Sequence, residues 1–358
     1  MPSLSAHPTA LAGAGAIGSL ILRDSEGRQA NQRVQIDLIL EKDGVQSVVT
    51  SMRNAIGTRA LKGDIEKKGN DSVRLNGKTI RVHDQSEIPV ALYESMGIKR
   101  VIEATGRRTK SKEAAAHMEG TGVEQVLVTA NGGEDMTHVV VGINEDRYIA
   151  KPKEAIANAS CTTKSTLAVL KALSGNLGIA SYSIATTHAH TGPERRQLTA
   201  EMKAGVRLLK SGRPPDVQDI DEFLVETTGA GKGIGYVLPE LRDKIAGAVA
   251  YRGAVVNGSF TTLNVVLEKE TTKDDLIALF RKVSERTPNN LQIVNLGKQA
   301  DTTNSMHIRE SKADAVLLAD QIQGRGKYWQ LVIGYNNEEG PARAMNDLAL
   351  YMEGRLAA

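Results

Sequence analysis

Short apolar runs alternate with helix-like segments through the first 150 or so residues. The runs predict strands because they are short, rich in Val, Ile and Leu, and bounded by glycine or polar residues. Helix-like segments between them include Ser19 to Arg23 and Lys112 to Glu119. The runs are Thr9–Ala12, Val34–Leu40, Arg100–Ala104, Gln125–Thr129 and Val139–Gly142. Strands separated by helices predict parallel crossovers, and therefore a doubly wound α/β domain.

The pattern changes after about residue 180, where segments rich in alternating Thr and Val predominate. A long helix-like segment, Lys273 to Ser284, intervenes, and Asn346 to Gly354 resembles a final helix. The β-rich segments are Ser181–Thr187, Ala246–Tyr251, Ser259–Leu267 and Trp329–Tyr335. This half predicts an α+β domain with a mostly antiparallel sheet.

Composition limits the classes of protein to consider. A chain of 358 residues is too long for one ordinary core, and 41% hydrophobic with 24% charged residues is typical of soluble globular proteins. The N-terminus lacks the basic and then apolar order of a secretory signal, and no apolar run is long enough to span a bilayer, so we expect a cytoplasmic protein without a membrane partner. A net charge of +3 is too small to indicate nucleic-acid binding.

A glycine-rich loop follows the first predicted strand. Its residues are Gly13, Ala14, Gly15, Ala16, Ile17 and Gly18, in the pattern G-x-G-x-x-G. The first glycine permits a tight turn, the second lets backbone approach a pyrophosphate, and the third allows close contact between helix and strand. The N-terminus of the following helix favours the anion. In this position the loop predicts a dinucleotide site in a Rossmann-type domain; a Gly/Ala-rich turn without nucleotide is the alternative.

The end of the second predicted strand bears on which dinucleotide binds. Glu41 follows that strand, where a carboxylate can accept hydrogen bonds from the adenosine ribose and repel a 2′-phosphate. This favours NAD. Two alternatives stay open: Glu41 is an exposed charge at a strand end, or Lys42 pairs with the 2′-phosphate of NADP.

The chain has a single cysteine, Cys161, which can form no internal disulfide. No zinc-ligand spacing is present, so we expect no metal site. A lone cysteine is either a buried small hydrophobe or a reactive thiol. Cys161 precedes a helix-like run from Ser165 to Leu173, and a helix N-terminus favours a thiolate. His188 ends the next predicted strand, and a Cys–His pair from separate elements is typical of an activated nucleophile.

An ordered set of segments resembles the glyceraldehyde-3-phosphate dehydrogenase family, from about residue 10 to the C-terminus. The order of the segments, rather than any one of them, makes the resemblance specific. The segments are Glu103–Gly106, Val141–Asn144, Asn158–Thr163, Thr187–Thr191, Thr227–Lys232, Val237–Leu241, Arg252 with Asn257–Ser259, and Tyr335–Gly340. The resemblance implies a phosphorylating, NAD-dependent aldehyde dehydrogenase and a homotetramer.

The resemblance also implies a division of the chain. Residues 1–160, completed by a C-terminal helix over 337–358, would form the dinucleotide-binding domain, and residues 161–336 the catalytic domain. Asn337 would hold the nicotinamide carboxamide, and Thr105 would join the glycine loop in the cofactor site.

The family's chemistry can be carried over residue by residue. Cys161 would attack the aldehyde and His188 would take the thiol proton, after which hydride passes to the nicotinamide and phosphate cleaves the thioester. Thr191 and Arg252 would hold the anionic group of a small aldehyde, glyceraldehyde 3-phosphate being the first candidate. The site for inorganic phosphate would be lined by Ser160, Thr162, Thr228 and Gly229.

Departures from the family pattern gather around recognition and spare the catalytic pair. They are Ala16 and Ser19 in place of arginines, Lys164-Ser165 in place of Asn-Cys, Pro193 where aspartate is frequent, Pro341 in place of tyrosine, and an unfamiliar segment over 194–225. They leave open an anionic aldehyde other than glyceraldehyde 3-phosphate.

Two alternatives to the main interpretation remain. An acyl-phosphate reductase of the aspartate-semialdehyde type shares the fold plan and the Cys–His chemistry. A non-catalytic, RNA-binding regulatory protein is supported by the basic residues between Arg195 and Arg213 alone. Such a protein has no need of Cys161, His188 and Arg252 together, so a nucleic-acid partner is not expected.

Overall fold

Two sheets organise the protein. The computed structural model describes residues 7–53, 64–84, 87–149, 151–189, 224–253, 257–295 and 308–354. The described helices are α1 (Ala16–Glu26), α2 (Gly44–Arg53), α3 (Val90–Ser95), α4 (Ser111–Ala115), α5 (Cys161–Leu177), α6 (Ala230–Val237), α7 (Lys273–Arg286) and α8 (Glu339–Met352). Within this part of the chain, no helix combines the length and apolar character that crossing a bilayer requires.

The first sheet is largely parallel. Its described strands are β1 (Thr9–Ala12), β2 (Ile36–Leu40), β3 (Ile65–Lys68), β4 (Ser72–Leu75), β5 (Lys78–His83), β6 (Arg100–Glu103), β7 (Gln125–Val128), β8 (Thr137–His138) and β9 (Glu154–Ala157). Their order is β3-β4-β5-β2-β1-β6-β7-β9-β8. Among the described pairings, only β3 with β4 and β4 with β5 are antiparallel.

Helices cover both faces of this sheet. Successive side chains of a strand point to opposite faces, so a strand that is apolar throughout must be buried on both sides. On β1, Leu11 belongs to the core shared with α1, α2 and α8, whereas Ala10 and Ala12 belong to the core shared with α3 and α4. All four residues of β1 are buried, although the strand offers few large apolar side chains. The predicted doubly wound, Rossmann-type domain is confirmed.

The second sheet is mostly antiparallel, as predicted. Its described strands are β10 (Ile179–Ala189), β11 (Leu224–Thr227), β12 (Ile245–Gly253), β13 (Ser259–Thr271), β14 (Leu291–Val294), β15 (Ala315–Leu318) and β16 (Gln323–Tyr335), in the order β11-β12-β10-β13-β16-β15-β14. Of the described pairings, β10 with β12 and β14 with β15 are parallel. Helices α5 and α7 pack their apolar sides on this sheet in one core.

Local details correct the sequence analysis. Val139–Gly142 is not a strand: the Val140 amide donates to Asn144 Oδ1 at 2.8 Å, which closes a turn, and the next strand is β9. The pattern also missed β3 to β5, and it placed the starts of α5 and α8 too late. The predicted loop over 210–216 lies outside the described residues, and the boundaries of the two domains stay a prediction.

Candidate active site

Cys161 is the first residue of α5, and the turn that delivers it from β9 is tightly held. The Asn158 amide donates to the Val128 carbonyl at 3.0 Å, and its Nδ2 donates to the Val139 carbonyl at 2.9 Å. Ala159 follows with φ of 56°, a left-handed conformation that costs a non-glycine residue roughly 1–2 kcal/mol. The fold therefore holds a strained residue two positions before the thiol, which sets the direction in which α5 starts.

Ser160 caps α5 and fixes its first turn. Its Oγ accepts from the Thr163 amide at 3.1 Å, as an N-cap serine does. The Ser160 amide donates to Asn131 Oδ1 at 2.7 Å, and Thr163 Oγ1 donates to the same oxygen at 2.9 Å. Asn131, which sequence reasoning missed, thus joins the loop after β7 to the start of the nucleophile helix.

The predicted Cys–His pair is present. Sγ of Cys161 lies 3.3 Å from Nε2 of His188, which β10 carries near its end. Burial raises the pKa of the Cys161 thiol, but the charge and hydrogen bond of His188 and the Lys164 ammonium outweigh it, so that this pKa lies below that of an ordinary thiol. Burial lowers the pKa of His188, but the Cys161 thiolate outweighs it, so that this pKa is raised. Each member of the pair therefore stabilises the charged form of the other.

The second nitrogen of His188 has two close neighbours. Nδ1 lies 2.6 Å from the Ala189 carbonyl oxygen and 2.7 Å from Nη1 of Arg252. Both cannot be hydrogen bonds at once, because Nδ1 must donate to the carbonyl but accept from a guanidinium, which has no lone pair to offer. Donation to Ala189 is the arrangement in which Nε2 can take the thiol proton. In that form the positive charge of Arg252 opposes the imidazolium.

Arg252 reaches the catalytic pair because β10 and β12 run parallel with His188 opposite Arg252. Its Nε also donates to Glu226 Oε2 at 2.9 Å, an ion pair contributed by β11. The Arg252 side chain is 20% exposed and that of Glu226 is 43% exposed, so water reaches this pair. An anion that enters the site therefore meets a guanidinium already partnered by a carboxylate.

A cavity of about 360 Å³ joins these groups to the nucleotide loop. Ala16 and Ile17 of α1 line it together with Asn337. The predicted phosphate-site residues also line this cavity. They are Ser160, Thr162, Thr228 and Gly229. One space therefore contains the thiol, the histidine, the arginine and the start of the nucleotide-loop helix.

The predicted phosphate-site residues are held by specific contacts. Gly229 is the N-cap of α6, and Thr228 Oγ1 accepts from the Ala230 amide at 3.2 Å. Thr162 Oγ1 lies 2.9 Å from the hydroxyl of Tyr335, which also lies 2.8 Å from Thr186 Oγ1. Tyr335 thus ties the nucleophile helix to β10 and β16.

The glycine loop has the shape that a dinucleotide needs. Gly13 has φ of 88°, and a Cβ on Gly18 would lie 1.9 Å from the Gly13 carbonyl oxygen, so neither position tolerates a side chain. A Cβ on Gly15 would meet nothing within 4 Å, which leaves the backbone open to a ligand. Glu41 is 6% exposed and accepts from the Ala14 amide at 2.8 Å. Glu41 is therefore a buried carboxylate beside the loop rather than an exposed strand-end charge.

The remaining predicted cofactor residues flank this loop and the cavity. Thr105 lies against Gly13, and its amide donates to Glu103 Oε1 at 2.7 Å. Oδ1 of Asn337 accepts from the Gly258 amide at 3.0 Å and from Ser259 Oγ at 3.3 Å. Asn337 also lines the cavity, where its NH₂ group could donate to a bound ligand. These residues fit a nicotinamide dinucleotide.

Several predictions fall on residues that the structure does not describe. Thr191, predicted to bind the substrate anion, lies outside the described ranges, as do Pro193 and the basic residues between Arg195 and Arg213. Lys164, in contrast, is described, buried and part of the cavity wall, and no sequence signal beyond its departure from the family pattern drew attention to it.

Comparison with known proteins shows similarity to one family of enzymes. Residues 160–333 match the family model described as glyceraldehyde 3-phosphate dehydrogenase, C-terminal domain. A glyceraldehyde-3-phosphate dehydrogenase of Streptomyces coelicolor is 30% identical over 80% of this chain and 81% of its own length. One from Geobacillus stearothermophilus is 30% identical over 82% of this chain and 84% of its own. Glyceraldehyde-3-phosphate dehydrogenase 1 of Bacillus cereus is 26% identical over 96% of this chain and 97% of its own.

Proposed function

Because the chain belongs to the glyceraldehyde-3-phosphate dehydrogenase family, we propose that it oxidises a small anionic aldehyde to an acyl phosphate, glyceraldehyde 3-phosphate being the first candidate. The chain is an NAD-dependent oxidoreductase, as its sequence predicts. The observation that carries the proposal is the 3.3 Å contact between Cys161 Sγ and His188 Nε2, in a cavity that Arg252 also lines.

The first step forms a carbon–sulfur bond. The Cys161 thiol gives its proton to Nε2 of His188, and the thiolate attacks the aldehyde carbon to form a thiohemiacetal. The Nδ1–H of His188 stays on the Ala189 carbonyl, which holds the ring while Nε2 exchanges the proton. The imidazolium then lies close to the oxygen that becomes negatively charged and gives it the proton from Nε2, which forms the hydroxyl of the thiohemiacetal and leaves His188 neutral.

The second step requires a hydride acceptor. When bound, NAD⁺ supplies this chemistry by accepting hydride from the thiohemiacetal carbon. The chain's own part would be to hold the dinucleotide: the glycine loop would bind its pyrophosphate, the Glu41 carboxylate its adenosine ribose, and the Asn337 amide its nicotinamide end. His188 takes the hydroxyl proton as the carbonyl of the thioester forms on Cys161.

The third step releases the product. An oxygen of inorganic phosphate attacks the thioester carbon, the carbon–sulfur bond breaks, and Cys161 leaves as a thiolate beside the imidazolium of His188. Thr228, which follows β11, lines the cavity together with Gly229 and Ala230 at the start of α6, and a helix N-terminus favours a phosphate anion. Their position near the thiol supports a site for the attacking phosphate there.

A screen of aldehydes tests the proposal. Small phosphorylated, carboxylated and neutral aldehydes are offered with NAD in phosphate and in arsenate, and NADH is followed by absorbance. We expect anionic aldehydes to be oxidised with an absolute need for phosphate or arsenate. Oxidation that is equally fast in a buffer free of both ions, or no oxidation of any aldehyde in the panel, would refute it.

One observation favours a second candidate within the same chemistry. The ion pair of Arg252 with Glu226 partly neutralises the group expected to hold the substrate's phosphate. A substrate with a single negative charge, such as a carboxylated semialdehyde, needs less positive charge from Arg252 than a dianionic phosphate does, so the ion pair with Glu226 weakens its binding less. In the screen, a higher kcat/KM for a carboxylated aldehyde than for glyceraldehyde 3-phosphate would establish this alternative.

A further inference from the structure

Lys164 lies one turn into α5, three residues after the nucleophile, and it is 3% exposed. Its Nζ donates to the Asn158 carbonyl at 2.8 Å, to Asn158 Oδ1 at 2.9 Å and to the Ala159 carbonyl at 3.4 Å. All three partners are oxygens that accept, so they use the three N–H groups of an ammonium, which a neutral amine cannot provide. The geometry therefore selects the charged form of Lys164.

These contacts fall on the strained turn before the thiol. Asn158 and Ala159 are the residues that lead from β9 into α5, and Ala159 keeps its left-handed conformation there. A backbone outlier persists only where its surroundings over-determine it. The Lys164 ammonium supplies part of that constraint through its contacts with Asn158 and Ala159, and the Asn131 side chain holds the Ser160 amide.

We propose that Lys164 is a positioning residue for Cys161: its ammonium holds the turn that presents the thiol, and its positive charge favours the thiolate. A buried cation is costly unless it is paired, and here the Asp314 carboxylate, the three oxygens of Asn158 and Ala159 and the developing thiolate offset that cost. The residue acts through Cys161 and takes no part in bond making.

The charges around this pair decide the pH at which the effect operates. Cys161 faces His188 from β10, and Lys164 also interacts with the buried Asp314 carboxylate before β15 and with Arg343 of α8. Burial lowers the pKa of Lys164 to about 8, although attraction to Asp314 and Cys161 opposes that lowering. Lys164 is thus a cation below about pH 8, and its support of the thiolate is lost as the pH rises through that value.

The single cysteine makes a test without substrate possible. The rate of iodoacetamide labelling and the ultraviolet absorbance of the thiolate are followed against pH in the full chain, whose only cysteine is Cys161. The absorbance is taken as the difference from Cys161→Ser, which removes the contribution of the tyrosines. In Lys164→Met we expect the midpoint of thiolate formation to rise by about one pH unit, as when a nearby opposite charge is removed. Lys164→Arg, which keeps the charge, should raise it by less.

Two further variants guard against misfolding and unspecific effects. Lys164→Asn removes the charge but leaves a donor for the turn, and it should raise the midpoint as Lys164→Met does. Lys171→Met changes an exposed lysine of the same helix and should leave the midpoint where it is. A folded Lys164→Asn or Lys164→Met with the native midpoint would overturn the proposal, as would an equal rise in Lys164→Arg. Because no aldehyde or cofactor is used, that failure would leave the proposed oxidation untouched.

Discussion

Replacing Arg252 by alanine removes the positive group that we expect to hold the substrate anion, and the structure sets the size of the effect. A charge-assisted hydrogen bond contributes about 1.5–3 kcal/mol. The competing pair with Glu226 is partly exposed, and such pairs contribute only about 0–1 kcal/mol, so an entering anion displaces Glu226 at little cost. Most of the free energy of the contact between Arg252 and the anion therefore goes to substrate binding, and Arg252→Ala should lower kcat/KM roughly 10- to 100-fold.

The companion change has the opposite sign. Glu226→Gln keeps the shape of the side chain but frees the guanidinium of Arg252 from its carboxylate partner. Recovery of about 0–1 kcal/mol predicts a rise in kcat/KM for an anionic aldehyde of up to about fivefold. A neutral aldehyde gains nothing from either charge and should be little affected by either variant.

The assay compares kcat/KM for one anionic and one neutral aldehyde in the native chain and both variants. Arg147→Ala is a matched control, because Arg147 also pairs with a carboxylate, Glu240 at 3.3 Å, but does so on the surface and outside the cavity. Equal losses for the two aldehydes in Arg252→Ala would refute the reasoning. Arg252 would then act on His188, whose Nδ1 it approaches to 2.7 Å, rather than on the substrate.

Three other outcomes are expected. The thiolate of Cys161 should form below the pH of about 8.5 typical of a free thiol, because the pKa of this thiol is lowered. His188→Gln should raise the pH midpoint of iodoacetamide labelling. An unchanged midpoint would mean that His188 does not stabilise the thiolate. The native chain should have a higher kcat/KM with NAD than with NADP, and Glu41→Ala should reduce that preference; a native preference for NADP would mean that Lys42 governs the ribose pocket. Light scattering should give the mass of a homotetramer, in which the exposed Val225 and Tyr251, paired on β11 and β12, become covered; a monomer at micromolar concentration would contradict this.

Local patterns were sufficient to predict the elements that carry the chemistry. The glycine loop, the strand before it and the helix after Cys161 each depend on neighbouring residues, so the local sequence was enough to predict them. The Cys161–His188 contact joins residues on separate elements, yet the ends of a helix and a strand made it predictable. Val139–Gly142 was misread because three valines favour a strand, whereas Asn144 closes them into a turn.

Contacts between distant segments were beyond such reasoning. Glu226 meets Arg252 only because β11 pairs antiparallel with β12, and nothing near either residue encodes that register. Tyr335 reaches Thr162 across 173 positions of sequence. Lys164 stood out only as a departure from the family pattern, because its contacts with Asn158 and Ala159 depend on the turn before α5. The sequence therefore predicted the catalytic pair, but it did not predict the contacts through which other residues hold that pair in place.

Single-turnover mixing tests the central claim, that Cys161 carries the acyl group. The chain is mixed rapidly with NAD and an anionic aldehyde in a buffer free of phosphate and arsenate, and NADH is followed. NADH formation should stop after about one NADH per chain, because the thioester on Cys161 is not cleaved without phosphate. Adding phosphate should restart it. Cys161→Ser should give neither the burst nor the turnover. A burst of the native size in Cys161→Ser, or steady turnover of the native chain without phosphate, would contradict the account.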